Sequence, residues 1–176
     1  MISSRLLVVT MITLFAVAMR FLPHPPNFAP VAALALFAGS LCRSKKIGLL
    51  IPVIAMLVSD WMLGFHSLML VVYGCLIFNV VIGQYWIGQS GRQPSKLVAA
   101  SVIGSCLFFC ATNFACWLSF YEPNLNGFIS CYTLALPFFR NTLLSDLTYT
   151  TLFFGAVALA KSTLPVRHRS TLAMDA

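Results

Sequence analysis

Three charged side chains lie within or beside long apolar segments: Asp60, Arg140 and Asp146. Because an ionised group in an apolar surrounding is costly, such residues usually face a cavity or pair with one another. One interpretation is a buried Arg–Asp pair that fixes helix packing, and the other is contact with a ligand. Arg140 is the better ligand contact, since guanidinium offers a fork of donors to carboxylate, phosphate or amide oxygens. We expect Asp60 and Asn141 to contact polar edges of the same ligand.

A cysteine and an asparagine lie four residues apart at Cys75 and Asn79, with Tyr73 nearby. Helical spacing places Cys75 and Asn79 on one face. Counted from Leu68 at about 1.5 Å per residue, Cys75 lies roughly 10 Å inside the apolar segment. A thiol at this depth either packs as a small apolar residue or serves as a soft sulfur ligand for a metal-bearing substrate.

A second helical face carries Cys106, Cys110, Asn113 and Trp117, at spacings of four, three and four residues. Weakly polar residues also mediate contacts between membrane helices, and this interpretation is favoured for the two cysteines. Asn113 and Trp117 are assigned to a pocket wall, because the face becomes more polar and aromatic toward that end. Aromatic residues suit a large, rigid ligand since they supply contact area at little entropic cost; the candidates are Phe28, Trp61, Tyr73, Trp117 and Tyr121.

Catalytic signatures are weak in this sequence. His24 and His66 could form a zinc site with Asp60, but the four-residue spacing of zinc motifs on helices is lacking. The sequence has no glycine-rich phosphate loop, nucleophile elbow or Walker motif. We therefore predict no enzyme activity, no catalytic residue and no cofactor of its own, and we place His66 among the ligand contacts.

The composition is that of an integral membrane protein. Hydrophobic residues make up 60% of the 176 residues and charged residues only 9%, against about 25% charged in soluble domains. Six spans of about 20 residues would use the whole chain, so we predict one all-α domain with six transmembrane helices over residues 1–163 and a cytoplasmic tail over 164–176. The six cysteines include no Cys-x-x-Cys pair and are predicted to be free.

A proline-dense hinge, residues 20–30 (Arg-Phe-Leu-Pro-His-Pro-Pro-Asn-Phe-Ala-Pro), breaks the chain after the first helix. The hydrophobic pattern predicts helices over residues 5–21, 31–41, 47–63, 68–87, 96–118 and 141–160. The apolar piece 128–136, followed by Pro137, is too short to span and is predicted to be re-entrant or interfacial.

This threading separates the charges. Nine of the eleven Lys and Arg residues fall on one side, and only Arg20 and Arg140 fall on the other. The positive-inside rule then predicts that both termini lie in the cytoplasm. The net charge of +7 is explained by topology, and no nucleic-acid partner is predicted.

Four stretches carry a family resemblance: Pro-His-Pro-Pro-Asn-Phe-Ala-Pro-Val-Ala-Ala-Leu-Ala-Leu-Phe-Ala-Gly (23–39), Leu-Val-Ser-Asp-Trp-Met-Leu-Gly-Phe-His (57–66), Thr-Asn-Phe-Ala-Cys-Trp-Leu (112–118) and Pro-Phe-Phe-Arg-Asn-Thr-Leu-Leu-Ser-Asp-Leu-Thr-Tyr-Thr (137–150). They look like the motifs of a bacterial membrane family of mostly unassigned function, related to the six-helix S components of energy-coupling-factor (ECF) vitamin transporters. In size and layout the chain is similar to the BtuM-type cobalamin uptake proteins of Gram-negative bacteria.

The resemblance implies a substrate-binding protein for vitamin uptake in a bacterial inner membrane, with cobalamin as the first-choice ligand. It implies that Cys75 ligates the cobalt of the bound corrinoid. It also implies an ECF energising module as a partner, in addition to the lipid bilayer. S components often carry an Ala-x-x-x-Ala patch on the first helix for that module; here only Ala35-x-x-x-Gly39 on the second helix is similar.

Three alternatives stay open from the sequence. The same architecture could bind another vitamin or a small precursor, in which case Cys75 is dispensable for binding. The chain could instead be a membrane thiol or quinone oxidoreductase, although the lack of a Cys-x-x-Cys pair disfavours this activity. It could also be a structural partner subunit that binds no small molecule.

Overall fold

The computed structural model describes residues 4–88 and 93–163. These residues form six helices: α1 (Ser4–Phe21), α2 (Val31–Leu41), α3 (Lys45–Leu63), α4 (Met69–Ile82), α5 (Pro94–Phe120) and α6 (Leu125–Thr163). A π-helical turn, Gly83–Ile87, continues α4. The described residues contain no strand, which confirms the all-α prediction. The predicted tail 164–176 lies outside the described residues, as do Arg92, Arg167 and Arg169.

Four of these helices are long and apolar enough to cross a membrane by length and composition. Within the described residues they are Lys45–Leu63, Met69–Ile87, Pro94–Phe120 and Leu125–Leu159. The other two apolar helices, Leu7–Phe21 and Val31–Leu41, are shorter. The prediction of a helical membrane protein is therefore confirmed. Among the described residues, however, four helices have the length to cross a membrane, and not the six that were predicted.

The shortest helix, α2, lies at the centre of the bundle. Its residues Ala33–Leu41 are all buried, and they pack against α1, α3, α4 and α6. Gly39 makes this possible, because a Cβ at that position would clash with the backbone carbonyl of Val80 in α4. The Ala35-x-x-x-Gly39 stripe therefore packs inside the protein and is not available to another subunit.

The hinge occupies residues 22–30 in the structure, because α1 extends to Phe21. Asn27 adopts a positive φ of 62°, and the Phe28 amide donates to the Pro25 carbonyl over 3.0 Å. Pro at the second position and Asn at the third are typical of a turn that needs a positive φ at its third residue. The predicted break at the hinge is confirmed.

The hinge is attached to α6. Asn141 Nδ2 donates to the Pro26 carbonyl over 3.0 Å, and Ser145 Oγ donates to the Ala29 carbonyl over 3.1 Å. The Phe28 ring lies 5.8 Å from the Tyr149 ring.

The prediction of a separate piece over residues 128–136 is wrong, because α6 runs without interruption through Pro137. Proline removes one hydrogen bond from a helix, but contacts with neighbouring helices can hold the helix together. Here Tyr132 Oη donates to the Cys110 carbonyl of α5 over 2.8 Å, and the Phe128 ring packs 5.3 Å from the Trp117 ring. These contacts with α5 keep the segment before Pro137 helical.

The two ends of the bundle differ in charge. We call one the basic end, where α2 is followed by Arg43, Lys45 and Lys46 and where Lys96 lies in the first turn of α5. There Gln84 Nε2 donates to the Lys45 carbonyl over 2.8 Å, and Lys45 Nζ lies 4.1 Å from the centre of the Tyr85 ring. We call the other the hinge end, which carries the hinge and the turn 64–68 between α3 and α4.

Candidate functional site

A cavity of about 340 Å³ opens at the hinge end. Its polar lining comes from three helices, the hinge and the turn 64–68: Arg20, His24, Asn27, His66, Cys75, Asn79, Thr142 and Asp146. Apolar residues complete it: Ala29, Val31, Ala32, Met56, Leu63, Val72, Leu76 and Phe108. An apolar cavity with a few convergent polar groups is the usual form of a small-molecule site.

One wall of the cavity is built on an ion pair between α1 and α3. Arg20 Nη2 lies 2.6 Å from Asp60 Oδ1, and Arg20 Nη1 also donates to the Ser59 hydroxyl. On the other side of the carboxylate, Tyr73 Oη donates to Asp60 Oδ2 over 2.8 Å. Asp60 is 1% exposed and Arg20 is 17% exposed. Asp60 therefore lies behind the wall and orients Arg20, which faces the cavity.

The inner wall of the cavity is formed by Cys75, Asn79 and Asp146. Cys75 is 5% exposed and Asn79 is 2% exposed, one helical turn apart on α4. Asn79 Nδ2 donates to the Cys75 carbonyl over 3.0 Å. Asn79 Oδ1 is buried, lies against Gly104 of α5 and has no hydrogen-bond partner among the described residues. Because Gly104 has no side chain, the Asn79 amide has room to pack against α5 at this position.

Asp146 contributes a buried carboxylate to this wall from α6, where it is 3% exposed. Ser105 Oγ on α5 donates to Asp146 Oδ2 over 2.6 Å. Thr142, one turn earlier on α6, also lines the cavity and donates to the Phe138 carbonyl over 3.0 Å. The carboxylate and the hydroxyl oxygens can accept hydrogen bonds from a ligand.

Two histidines lie where the cavity opens. His24 comes from the hinge, and its Nε2 is buried without a hydrogen-bond partner among the described residues. His66 is exposed in the turn 64–68. Imidazole can donate or accept a hydrogen bond, so both can contact a ligand as it enters. Among the described residues no group of three or more His, Cys, Asp or Glu side chains could hold a metal ion.

Of the predicted site residues, Cys75 and His66 line the cavity directly. Asp60 and Tyr73 are joined to it through Arg20. Asn141 and Phe28 support the hinge, as described above.

The remaining predicted residues lie away from the cavity lining. Asn113 Nδ2 donates to the Phe109 carbonyl of its own helix over 2.7 Å. Trp117 Nε1 donates to the Glu122 carbonyl over 3.0 Å at the end of α5. Arg140 is exposed on α6. The face of α5 that carries Asn113 and Trp117 packs against the first turns of α6 instead of lining the cavity.

Arg20, His24 and Asp146 are cavity residues that the sequence did not place among the ligand contacts. Arg20 and Asp60 are separated by 40 positions, so no local spacing links them. Asp146 was a candidate by its apolar surroundings, and Asn79 shares its helical face with Cys75. The position of His24 within the proline-dense segment is the sequence signal that could have identified it.

The fold and the site define a helical protein whose long apolar helices suit a membrane and whose polar cavity opens at one end. The chain belongs to a family of unknown function, DUF6580, whose model matches residues 1–167. No curated protein matches the chain, and no solved structure matches it.

Proposed function

We propose that this protein is a substrate-binding uptake protein of the S-component type, which takes a vitamin into its cavity from the periplasmic side of a bacterial inner membrane. The observation that carries the proposal is the cavity at the hinge end, whose polar lining gathers residues from α1, α4, α6, the hinge and the turn 64–68. In this proposal α1 and α2 complete a bundle of six membrane helices.

The charge distribution supports the proposed orientation. The basic end carries Arg43, Lys45, Lys46 and Lys96, and the positive-inside rule assigns such an end to the cytoplasm. The cavity then opens toward the periplasm, where a substrate arrives.

Cobalamin is the first-choice substrate, with Cys75 as a ligand to its cobalt. Cys75 lines the cavity from α4, and a thiolate is a suitable soft ligand for a transition metal. A corrinoid is much larger than a cavity of about 340 Å³, so its binding requires the cavity to widen at the hinge end. Asp60, through Arg20, and His66 would then contact the polar edges of the ligand.

A smaller vitamin or vitamin precursor is the second candidate, and the cavity volume favours it. Small-molecule sites measure about 300–1,000 Å³, and this cavity lies at the lower end of that range. Such a ligand fits without any widening, and Cys75 would then be dispensable.

Uptake also needs a source of energy. We infer that an ECF-type energising module is the partner, and that it docks on a surface other than the buried Ala35-x-x-x-Gly39 stripe. The basic end is the surface such a cytoplasmic module would meet.

Cobalamin retention tests the substrate directly. The full chain is purified in detergent, mixed with cobalamin and separated from the excess by gel filtration, and its visible absorbance is recorded. We expect retained colour with a spectrum shifted by thiolate ligation, and loss of that shift in Cys75→Ala. The matched control is Cys106→Ala, an exposed cysteine on α5, which should behave like the wild type.

A colourless wild-type protein would reject cobalamin and leave the smaller vitamin as the candidate. Retained colour with no difference between Cys75→Ala and Cys106→Ala would support cobalamin binding while removing Cys75 as the cobalt ligand.

A further inference from the structure

The carboxyl group of Asp146 is buried and has no cationic partner among the described residues. Its Oδ2 accepts a hydrogen bond from Ser105, but the one ion pair among the described side chains joins Arg20 to Asp60. Burying an ionised carboxylate without a counter-charge is unfavourable. An asparagine could accept the same bond from Ser105, so helix packing alone does not require an acid at this position.

The other charged and titratable groups of the cavity do not neutralise Asp146. Arg20 is held on the α3 side by Asp60. The two histidines lie at the opening, on the hinge and the turn 64–68. Arg140 is exposed and precedes Asp146 by six residues, about 9 Å along the helix. The inner wall therefore carries one buried carboxyl group that no cation of the described residues pairs with.

A second acceptor on the same wall also lacks a donor. Asn79 is 2% exposed, lines the cavity and has a buried Oδ1 without a partner among the described residues. This oxygen lies against Gly104, the residue next to Ser105, so the two acceptors flank the same turn of α5. Buried polar atoms are rarely left without partners, and an exception needs an explanation such as a missing ligand.

We propose that the inner wall binds a positively charged group of the ligand, with the Asp146 carboxylate as its counter-charge and the Asn79 amide oxygen as a second acceptor. This inference rests on the proposed function, because the ligand has to enter the cavity. The positive group could be an organic nitrogen cation or the cobalt centre of a corrinoid.

Two small probes of nearly the same shape test the charge requirement. One is 1-methylnicotinamide, which is a permanent cation, and the other is nicotinamide, which is neutral. Binding of each to the full chain in detergent is measured by saturation-transfer NMR and calorimetry at millimolar concentration. The methylated ring nitrogen of 1-methylnicotinamide has no hydrogen to donate, so it interacts with the Asp146 carboxylate through its charge. Because charge attraction is strong in an apolar cavity, we expect the cation to bind at least about tenfold more tightly.

Three variants separate charge from packing. Asp146→Asn should abolish the preference for the cation, while Ser105→Ala, which keeps the carboxylate, should retain it. Thr150→Val is the matched control, since Thr150 pairs with Ser101 on the same interface between α5 and α6 but outside this cavity. Melting temperatures recorded for all variants identify any that fail to fold.

Cobalamin distinguishes the two sources of positive charge. If the group is the cobalt centre, cobalamin retention should weaken in both Asp146→Asn and Cys75→Ala. If it is an organic cation, 1-methylnicotinamide binding should weaken in Asp146→Asn and stay unchanged in Cys75→Ala.

Equal binding of the two probes to the wild type, no binding of the cation, or an unchanged preference in Asp146→Asn would each overturn the proposal. Cobalamin retention without any cation preference would overturn this inference alone and leave the proposed function in place. A cation preference in a protein that does not retain cobalamin would support the inference and reject cobalamin.

Discussion

The ion pair between Arg20 and Asp60 allows a quantitative test of the cavity wall. Arg20→Met keeps an unbranched apolar stem but leaves the Asp60 carboxylate, which is 1% exposed, with the Tyr73 hydroxyl as its remaining side-chain donor. Removing one partner of a buried ion pair costs about 3–5 kcal/mol, because the other charge stays buried without compensation. We expect Arg20→Met to lower the free energy of unfolding by that amount.

The two partners are not expected to be equivalent. Asp60→Asn leaves Arg20 without its counter-charge, but Arg20 is 17% exposed at the cavity wall and can reach water. Loss of the Asp60 charge should therefore cost less, about 1.5–3 kcal/mol, the cost of a lost hydrogen bond to a charged group. In the double variant neither charge is left alone, so its destabilisation should be smaller than the sum of the two single effects by at least about 1 kcal/mol.

Thermal unfolding in detergent, followed by circular dichroism, measures these differences. For a chain of this size, each kcal/mol corresponds to about 2–4 °C in the melting temperature, so Arg20→Met should melt about 6–20 °C below the wild type. Arg140→Met, an exposed arginine on α6, is the control and should change stability by less than about 0.5 kcal/mol. Equal effects of Arg20→Met and Arg140→Met, or additive single effects, would refute this account of the wall.

Three further predictions concern other parts of the fold. Gly39→Ala should destabilise the protein by about 1–3 kcal/mol, because the added Cβ would push α2 away from α4. Gly74→Ala is the control in the same melting assay; its Cβ would meet open space, so it should be neutral or slightly stabilising. Pro137→Ala should leave the far-UV circular dichroism unchanged and should not lower the melting temperature, because α6 is already continuous there; a gain in helix content would contradict this. Burial raises the pKa of the Cys42 thiol to about 11. In a variant that keeps only Cys42, the alkylation rate should therefore still rise about tenfold per pH unit between about pH 8 and 10. The alkylation rate of an ordinary thiol levels off in that range, because most of the thiol is already ionised.

Local sequence signals predicted the helices well where a single residue type determines a boundary. The prolines of the hinge mark the break after α1, and the predicted limits of α2, residues 31–41, agree with the structure. The third helix begins at Lys45, two residues before the prediction, because Ser44 Oγ accepts a bond from the Ile47 amide as its N-cap. Such signals operate within one or two turns and need no knowledge of the tertiary structure.

Features that depend on contacts between distant residues could not be predicted. Pro137 is a strong local signal for a helix end, yet the bond from Tyr132 to α5 overrides it. The guanidinium donors and apolar neighbours of Arg140 predict a ligand contact, but the helical phase of α6 turns this side chain outward. The pairing of Arg20 with Asp60 joins two helices 40 positions apart. The sequence therefore indicated which end of the protein carries the polar residues, and the packing decided which of them reach the cavity.

The attachments of the two segments at the hinge end indicate how a ligand larger than the cavity could enter. The hinge is fixed to α6 by bonds from Asn141 and Ser145. Among the described residues, no side-chain hydrogen bond joins the turn 64–68 to another element, and its first residue, Gly64, has a φ of 103° that glycine adopts without strain. Because His66 in this turn lines the cavity, a rotation at Gly64 would widen the opening without breaking the Arg20–Asp60 pair. Entry of a corrinoid is therefore more consistent with movement of the turn than with movement of the hinge.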